Sequence, residues 1–191
     1  MFLLVHKIYY HEKERVYFGV IKEQIQLIKE KDPSIHSTFE AILTPGFRAL
    51  LYYQISHYFY LKKHFFIARY LCEKAKKKTG IEIHPGAVIG KRLFIDHGTG
   101  IVIGETSIIG DDVTIFHGVT LGSTGKEVGK RHPTVRNCAI IGAGAKILGN
   151  ISIGEYAKIG ANAVILENVP SFATVVGIPG KITKKEEHSC K

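Results

Sequence analysis

A chain of 191 residues with formal net charge +9, 45% hydrophobic residues, 20 Gly, 3 Cys and no Trp fits one ordinary domain or a domain with a substantial extension. Its apolar fraction excludes wholesale disorder. Cys72, Cys138 and Cys190 are too few and too scattered for a disulfide framework and lack the C-x-x-C spacing of a structural zinc site. No apolar run approaches the roughly 20 residues of a membrane span. Residues 1–10 carry His6 and Lys7 and no small-residue cleavage site, so a soluble cytoplasmic protein is expected.

The composition divides near Gly80. Residues 1–80 hold 14 Lys and Arg against 7 Asp and Glu, with 15 of the 19 Phe and Tyr and only 3 of the 20 glycines. Residues 81–191 hold 12 cations against 10 anions and the other 17 glycines, so two architectures follow one another and most of the charge lies in the first. The first reads as helices. Ile21, Ile25 and Ile28 recur at helical spacing until Asp32-Pro33, where the residue before proline avoids the helical region. Phe47, Leu50, Leu51, Ile55 and Tyr58 mark a second helix over 45–61, and 65–78 a third. That third helix stops at Lys76-Lys77-Lys78 with Gly80 behind, the cation and glycine signals of a helix C-terminus. The lysine run reads more simply as a solvated helix end than as a binding patch.

From residue 83 an aliphatic side chain recurs every six positions: Ile83, Ile89, Ile95; Ile103, Ile109, Ile115, Leu121; Val135, Ile141, Ile147, Ile153, Ile159, Ile165. A small or β-branched residue often follows four places on, as at Ala87, Val113, Val119, Ala139, Ala145, Ala157 and Ala163. Neither an α-helix nor a flat strand has this period. A coil of three short strands does, with the aliphatic residues inside and glycines at corners. The fold class is therefore α+β: an N-terminal helical region (1–80), a parallel β-helix of hexapeptide repeats (81–183) and a polar tail (184–191). The period breaks twice. Two extra residues fall between Ile95 and Ile103, and eight extra residues make a loop over 123–134. Insertions on a rigid solenoid are where function tends to lie.

With three hexads per coil, Ile95, Ile115, Ile141 and Ile159 begin the same face of successive coils. His97, His117, Ala143 and Ala161, two places on, should then form an outer column spaced by about 4.8 Å, the strand separation. Two imidazoles lie below two alanines, a reactive end joined to a smooth track for a slender ligand. His97, in Asp96-His97-Gly98-Thr99-Gly100, and His132, in Lys130-Arg131-His132-Pro133, sit at the two interruptions. An imidazole there suits proton removal from a hydroxyl, and Asp96 or Glu82 could fix its tautomer. His117, His84 and the helical histidines read as structural.

The segments Glu82-Ile83-His84-Pro85-Gly86, residues 94–106, Gly118-Val119-Thr120-Leu121-Gly122, Gly125-Lys126 with Arg131-His132-Pro133, and Ile141-Gly142-Ala143-Gly144-Ala145-Lys146 together resemble serine O-acetyltransferases, as does the helical stretch after Asp32-Pro33. The likeness spans about residues 20–183 and implies a left-handed β-helix. It implies acetyl transfer from acetyl-CoA, as co-substrate and without a metal, to the L-serine hydroxyl, giving O-acetylserine for cysteine synthesis. By matching position, His97 is the general base and Glu82 the acid opposite it, where better-known members have Asp. Asp32, Asp96, Arg131 and His132 match residues that hold serine, Arg131 facing its carboxylate as a guanidinium fork suits. Ala143, Ala161 and Lys158 match coenzyme A contacts, and the loop with Ser123, Thr124 and Lys126 would close over that ligand; Ser123 stands where the family usually has glycine. The resemblance also implies a homotrimer, sometimes paired into hexamers through the N-terminal helices. A complex with O-acetylserine sulfhydrylase, made by relatives through a C-terminal isoleucine, is not expected from an ending of Glu187-His188-Ser189-Cys190-Lys191. Direct transfer in a ternary complex is the expected mechanism; it requires no covalent acetyl-enzyme, and no cysteine is positioned for one.

Three other readings compete. A γ-type carbonic anhydrase needs a His-x4-His pair on zinc, and Gly122 stands five places after His117. A hexapeptide acetyltransferase for homoserine, a sugar or an antibiotic shares the repeat, but sugar-type relatives lack the helical region with Asp32. A nucleic-acid binder is suggested by charge alone, and the aromatics sit at core spacing rather than among cations on one face.

Overall fold

The computed structural model describes residues 17–125 and 128–185. Lys126 and residues 186–191, with Cys190 and most of the polar tail, lie outside them, as does the segment of His6 and Lys7.

The aromatic-rich part forms helices α1 (Tyr17–Lys31), α2 (Thr38–Leu43), α3 (Pro45–Leu61) and α4 (Phe65–Thr79). Of these α2, at six residues, is too short to show a period. Its signal is local: the Ser37 hydroxyl accepts from the Glu40 N–H at 3.2 Å while the Glu40 carboxylate accepts from the His36 N–H at 2.7 Å, a variant of the capping box. Helix α3 begins with Pro45 after Thr44, whose hydroxyl accepts from the Phe47 N–H at 3.4 Å. Helix α4 ends where its lysine run and glycine placed the stop, on Gly80 at φ 72°.

The hexads then wind a parallel β-helix. In chain order β1 (Glu82–Ile83), β2 (Val88–Ile89) and β3 (Phe94–Asp96) make the first coil, and β4 (Val102–Ile103), β5 (Ile108–Ile109) and β6 (Thr114–Phe116) the second. The third holds β7 (Thr120–Gly122), β8 (Thr134–Val135) and β9 (Ile140–Ile141), and the fourth β10 (Lys146–Leu148), β11 (Ser152–Ile153) and β12 (Lys158–Ile159). A fifth begins with β13 (Val164–Ile165) and β14 (Ala173–Val176), and β15 (Lys181–Lys185) returns antiparallel to β14, covering that sheet's last edge. Every third strand stacks through the first four coils, giving sheets β1-β4-β7-β10-β13, β2-β5-β8-β11 and β3-β6-β9-β12, the last continued by β14 and β15.

The thirteen in-period aliphatic side chains are all buried, as are the seven small or β-branched residues four places on. The period is therefore the core itself, each aliphatic contributing about 1.5–3 kcal/mol by leaving water. One coil departs from this. Ser107, stacked at the corner that Ala87 holds in the first coil, is fully buried and its hydroxyl has no hydrogen-bond partner.

The helices cover the first coil. Tyr53 Oη donates to the Ala87 carbonyl at 2.7 Å, and Cys72 Sγ to that of Ile83 at 3.2 Å. His57 Nδ1 lies 2.6 Å from the Pro85 carbonyl and so carries its hydrogen there. Ala49, Leu50 and Tyr53 join the interior of the β-helix, while Leu27, Ile28, Ala41 and Phe47 pack on Phe94 in a second cluster. These contacts fix α1 and the Asp32 turn beside β3, whose end carries Asp96 and His97. Among the described residues no helix is long and apolar enough to cross a membrane.

Candidate functional site

The first interruption is a tight corner. His97 adopts φ 57° and Gly98 φ 85°, and the Gly98 N–H donates to the Asp96 carbonyl at 2.6 Å. Only glycine fits at 98, because a Cβ there would lie 2.4 Å from Ile81 Cδ1. The turn throws the His97 side chain outward, 76% exposed, with Asp96 Oδ2 3.9 Å from its Nε2. The His117 ring meets it edge-on, centroids 5.8 Å apart at 75°.

Asp32 also belongs to this corner. The Ser34 hydroxyl and N–H, at 2.6 and 2.9 Å from Oδ1, hold its carboxyl below the usual range, and the nearby His97 imidazole adds to that effect. The structure thus brings Asp32, Asp96, His97 and His117 together from α1's end and two coils.

Glu82 is placed otherwise. Its Oε2 lies 2.5 Å from Lys76 Nζ, so one lysine of the α4 run is paired rather than free in solvent. No ion pair joins Glu82 to His97, and the carboxylate at the imidazole is that of Asp96.

The second interruption leaves β7 at Gly122 and returns to β8 at Thr134. Thr124 packs on Gly149, its methyl 3.6 Å from where a Cβ would stand, and Ser123 Oγ donates weakly to the Gly125 carbonyl at 3.4 Å. The end of the loop is anchored on an in-period turn, Glu105-Thr106. Arg131 Nη2 donates to Glu105 Oε2 at 2.6 Å, and Tyr60 Oη donates to Oε1 at 2.9 Å. Burial pushes the Glu105 carboxyl up, but the Arg131 and Tyr60 hydrogen bonds outweigh it and the group settles below its ordinary value. Tyr60 rises in response, through burial first and Glu105 second.

His132 is buried on that turn. Its Nδ1 accepts from the Thr106 N–H at 3.2 Å and lies 2.9 Å from Thr106 Oγ1, which itself accepts from the N–H groups of Arg131 (3.0 Å) and His132 (3.1 Å). This pattern assigns the hydrogen of the neutral ring to Nε2. Burial first, then the Arg131 and Lys130 charges, lowers the His132 pKa and keeps the ring neutral. The ring lies against Gly104, where a Cβ would come within 2.0 Å of its Cδ2. Lys130 Nζ reaches back to the carbonyls of Thr106, at 2.8 Å, and of His132. Burial alone holds its pKa down to about 8.

The outer column forms with one refinement. The Gly144 N–H donates to the His117 carbonyl and the Asn162 N–H to that of Ala143, both at 2.8 Å, stacking His117, Ala143 and Ala161 on successive coils. Below His117, however, the Gly118 N–H donates to Thr99 at 2.9 Å. The two inserted residues thus give the backbone position to Thr99, and His97 joins the column through its ring. Lys158, exposed on β12, lies one coil above Ile140 on the same sheet. The sequence left His117 as structural although the column already placed it beside His97. Thr106 and Lys130 carried no signal at all, since their contacts join an ordinary in-period turn to a loop 24 to 26 residues later.

The β3–β4 corner thus offers a solvent-accessible imidazole beside two carboxylates with a smooth track leading away, while the fixed guanidinium of Arg131 and the His132 ring sit apart on the β4–β5 turn; among the described residues no hydrogen bond or ion pair joins the two groups. Among the described residues no three His, Cys, Asp or Glu side chains are grouped to hold a metal ion.

Residues 132–167 match the family model of the bacterial transferase hexapeptide, six repeats. Over 168 residues, 87% of this chain and 77% of the relative, the sequence is 54% identical to the serine acetyltransferase of Bacillus subtilis strain 168. A serine acetyltransferase from Brucella abortus strain S19, solved in complex with coenzyme A, superposes with a TM-score of 0.88 at 39% identity, covering 93% of this chain and 72% of that one. Another, solved in complex with cysteine, gives 0.87 at 44% identity, covering 91% and 73%. A repeat read from period six, a fold with helices packed on its first coil, and this degree of identity over most of the length agree: the chain belongs to the serine acetyltransferases, acyltransferases of the hexapeptide-repeat superfamily.

Proposed function

We propose that this chain transfers the acetyl group of acetyl-CoA to the hydroxyl of L-serine, giving O-acetylserine, a precursor for cysteine synthesis, and CoA. The observation that carries the reading is His97, an outward imidazole on a strained corner with Asp96 and Asp32 beside it. His97 takes the serine hydroxyl proton as the oxygen forms its bond to the thioester carbon. The C–S bond then breaks, and the proton passes to sulfur, so CoA leaves as the thiol. Both substrates are bound together and no acetyl-enzyme forms.

Asp32, Asp96, Arg131 and His132 would hold serine. Arg131 offers its carboxylate a guanidinium already oriented by Glu105, and a neutral His132 with hydrogen on Nε2 would donate from that nitrogen. Asp96 is the nearer carboxylate to His97. Glu82, the acid implied by resemblance, would have to share its charge with Lys76. Ala143 and Ala161, with Lys158 and the loop residues Ser123 and Thr124, would line coenzyme A along the column. The assembly that accompanies this reading is a homotrimer with sites between neighbouring coils.

The test is serine-dependent thiol release by purified His97→Ala. A general base contributes about 10²–10⁴ in rate, and a loss of that size in kcat at unchanged melting temperature is expected. Near-normal turnover would remove His97 from the mechanism.

A further inference from the structure

Lys130 has no part in the steps above, yet its ammonium is half-buried and committed. It spans two carbonyls that belong to different pieces of chain, Thr106 on an in-period turn and His132 on the loop. The Thr106 hydroxyl answers from the other side by accepting the N–H groups of Arg131 and His132. The backbone at Arg131 and His132 is thereby tied to one residue of the second coil from both directions. The other groups around this knot serve the side chains: Glu105 and Tyr60 set the guanidinium, and Gly104 leaves room for the ring.

We infer that Lys130 is a positioning residue for the acceptor: with Thr106 it clamps the loop onto the second coil so that Arg131 and His132 face the hydroxyl substrate in one fixed geometry. This rests on the proposed roles of Arg131 and His132 and adds the device that sets them. An ammonium stripped of water is an expensive way to close a loop unless both carbonyls need it, and the depression of Lys130 to about 8 reflects that burial. The clamp acts on the acceptor alone. The coenzyme A column stands on backbone hydrogen bonds of His117, Ala143 and Asn162, which it does not touch.

Steady-state kinetics on the full chain test this. Lys130→Met removes the charge at similar length and should raise the serine KM about tenfold, as loss of a charged hydrogen-bond donor does, with kcat and the acetyl-CoA KM within about twofold. Lys130→Arg, which keeps a donor fork, should recover most of the serine KM. An unchanged serine KM in Lys130→Met would overturn the inference. So would a parallel rise of both KM values with a falling melting temperature, the mark of a loop that has merely come loose. If Lys130→Met does not fold, Thr106→Val removes the other half of the clamp, the hydroxyl that accepts from the Arg131 and His132 N–H groups, with the same serine-only rise expected and an unchanged KM contradicting it. Arg131→Ala separates the two levels. If it leaves the serine KM in place, the acceptor reading fails and the clamp with it; if it raises KM while Lys130→Met does not, the clamp alone fails.

Discussion

The stretch from Val135 to Ile165 and the stretch from Ile95 to Val135 are built on the same interior, yet they present different exteriors. The first keeps its period unbroken, and its column positions are Ala143 and Ala161. The second breaks twice, and its exposed or loop positions are His97, His117, Arg131 and His132. A strict repeat fixes where every side chain points but leaves each corner alike. Positive φ recurs at regular corners, as at Asp112 and Asn162, but the short insertion sets two such residues in succession, His97 and Gly98, and the long one is a loop that folds back on a regular turn, as Lys130 to His132 does on Glu105-Thr106. The regular coil is thus the landing site for the irregular loop, and the proposed chemistry draws on residues at the two interruptions.

That contrast can be broken at its tightest point. Gly104→Ala puts a methyl within 2.0 Å of His132 Cδ2, so the ring must leave its seat. Misplacement by about 1 Å can cost about 100-fold, and serine kcat/KM should fall by that order while the circular dichroism of the β-helix stays unchanged. Ile147→Ala acts on the shared interior instead. It should destabilise by about 2–5 kcal/mol, seen as a lower urea midpoint, with the remaining folded protein turning over at the parent rate. A fall in turnover per folded molecule as large as that of Gly104→Ala would erase the distinction between core and corner.

Acid should reach the corner before the coils. His132 and His84 both have pKa values lowered by burial, so each folded-state value lies below the unfolded value of about 6.5. The unfolded chain then binds more protons, and stability is lost as pH falls from about 6.5 toward the folded values. The depressed carboxyls, Asp32 and Glu105, give up their contribution only at lower pH, below about 4. Urea midpoints between pH 7.5 and 5.5 should therefore decline, and His132→Gln should flatten that slope. The smallest effect is a gain. Ser107→Ala removes a buried hydroxyl that has no partner and gives this corner the residue type of Ala87 in the first coil, worth about 1 kcal/mol. A rise of about 2–4 °C in melting temperature is expected, with kinetics unchanged; a fall would mean the hydroxyl is used.

The sequence carried the fold because period six is itself the core: no side chain in the run Ile141, Ile147 and Ile153, one on each sheet, could be moved by one place without facing solvent. His97 was legible for the same reason, standing where the period fails. Helix α2 was not, since six residues hold too few turns to repeat. The Thr106–Lys130 clamp was hidden because a threonine on a regular turn differs in nothing from its neighbours until a loop arrives from 24 residues away. The pairing of Glu82 with Lys76 was hidden likewise, as it depends on how α4 hands over to the first coil. Thr99 taking the place beneath His117 follows from which two residues bulge, and counting an insertion does not say which.

Serine is the acceptor assigned to His97 and to the loop residues Arg131 and His132. Thiol release from acetyl-CoA, measured with the purified chain against serine, homoserine and a set of sugars at equal concentration, tests that assignment directly. Serine should be the preferred acceptor by at least about tenfold, over sugars through carboxylate and amine contacts they cannot make and over homoserine through its extra methylene, worth about 1–3 kcal/mol, and Arg131→Ala should abolish the preference over sugars. Faster release with any other acceptor would contradict the account while leaving the β-helix intact.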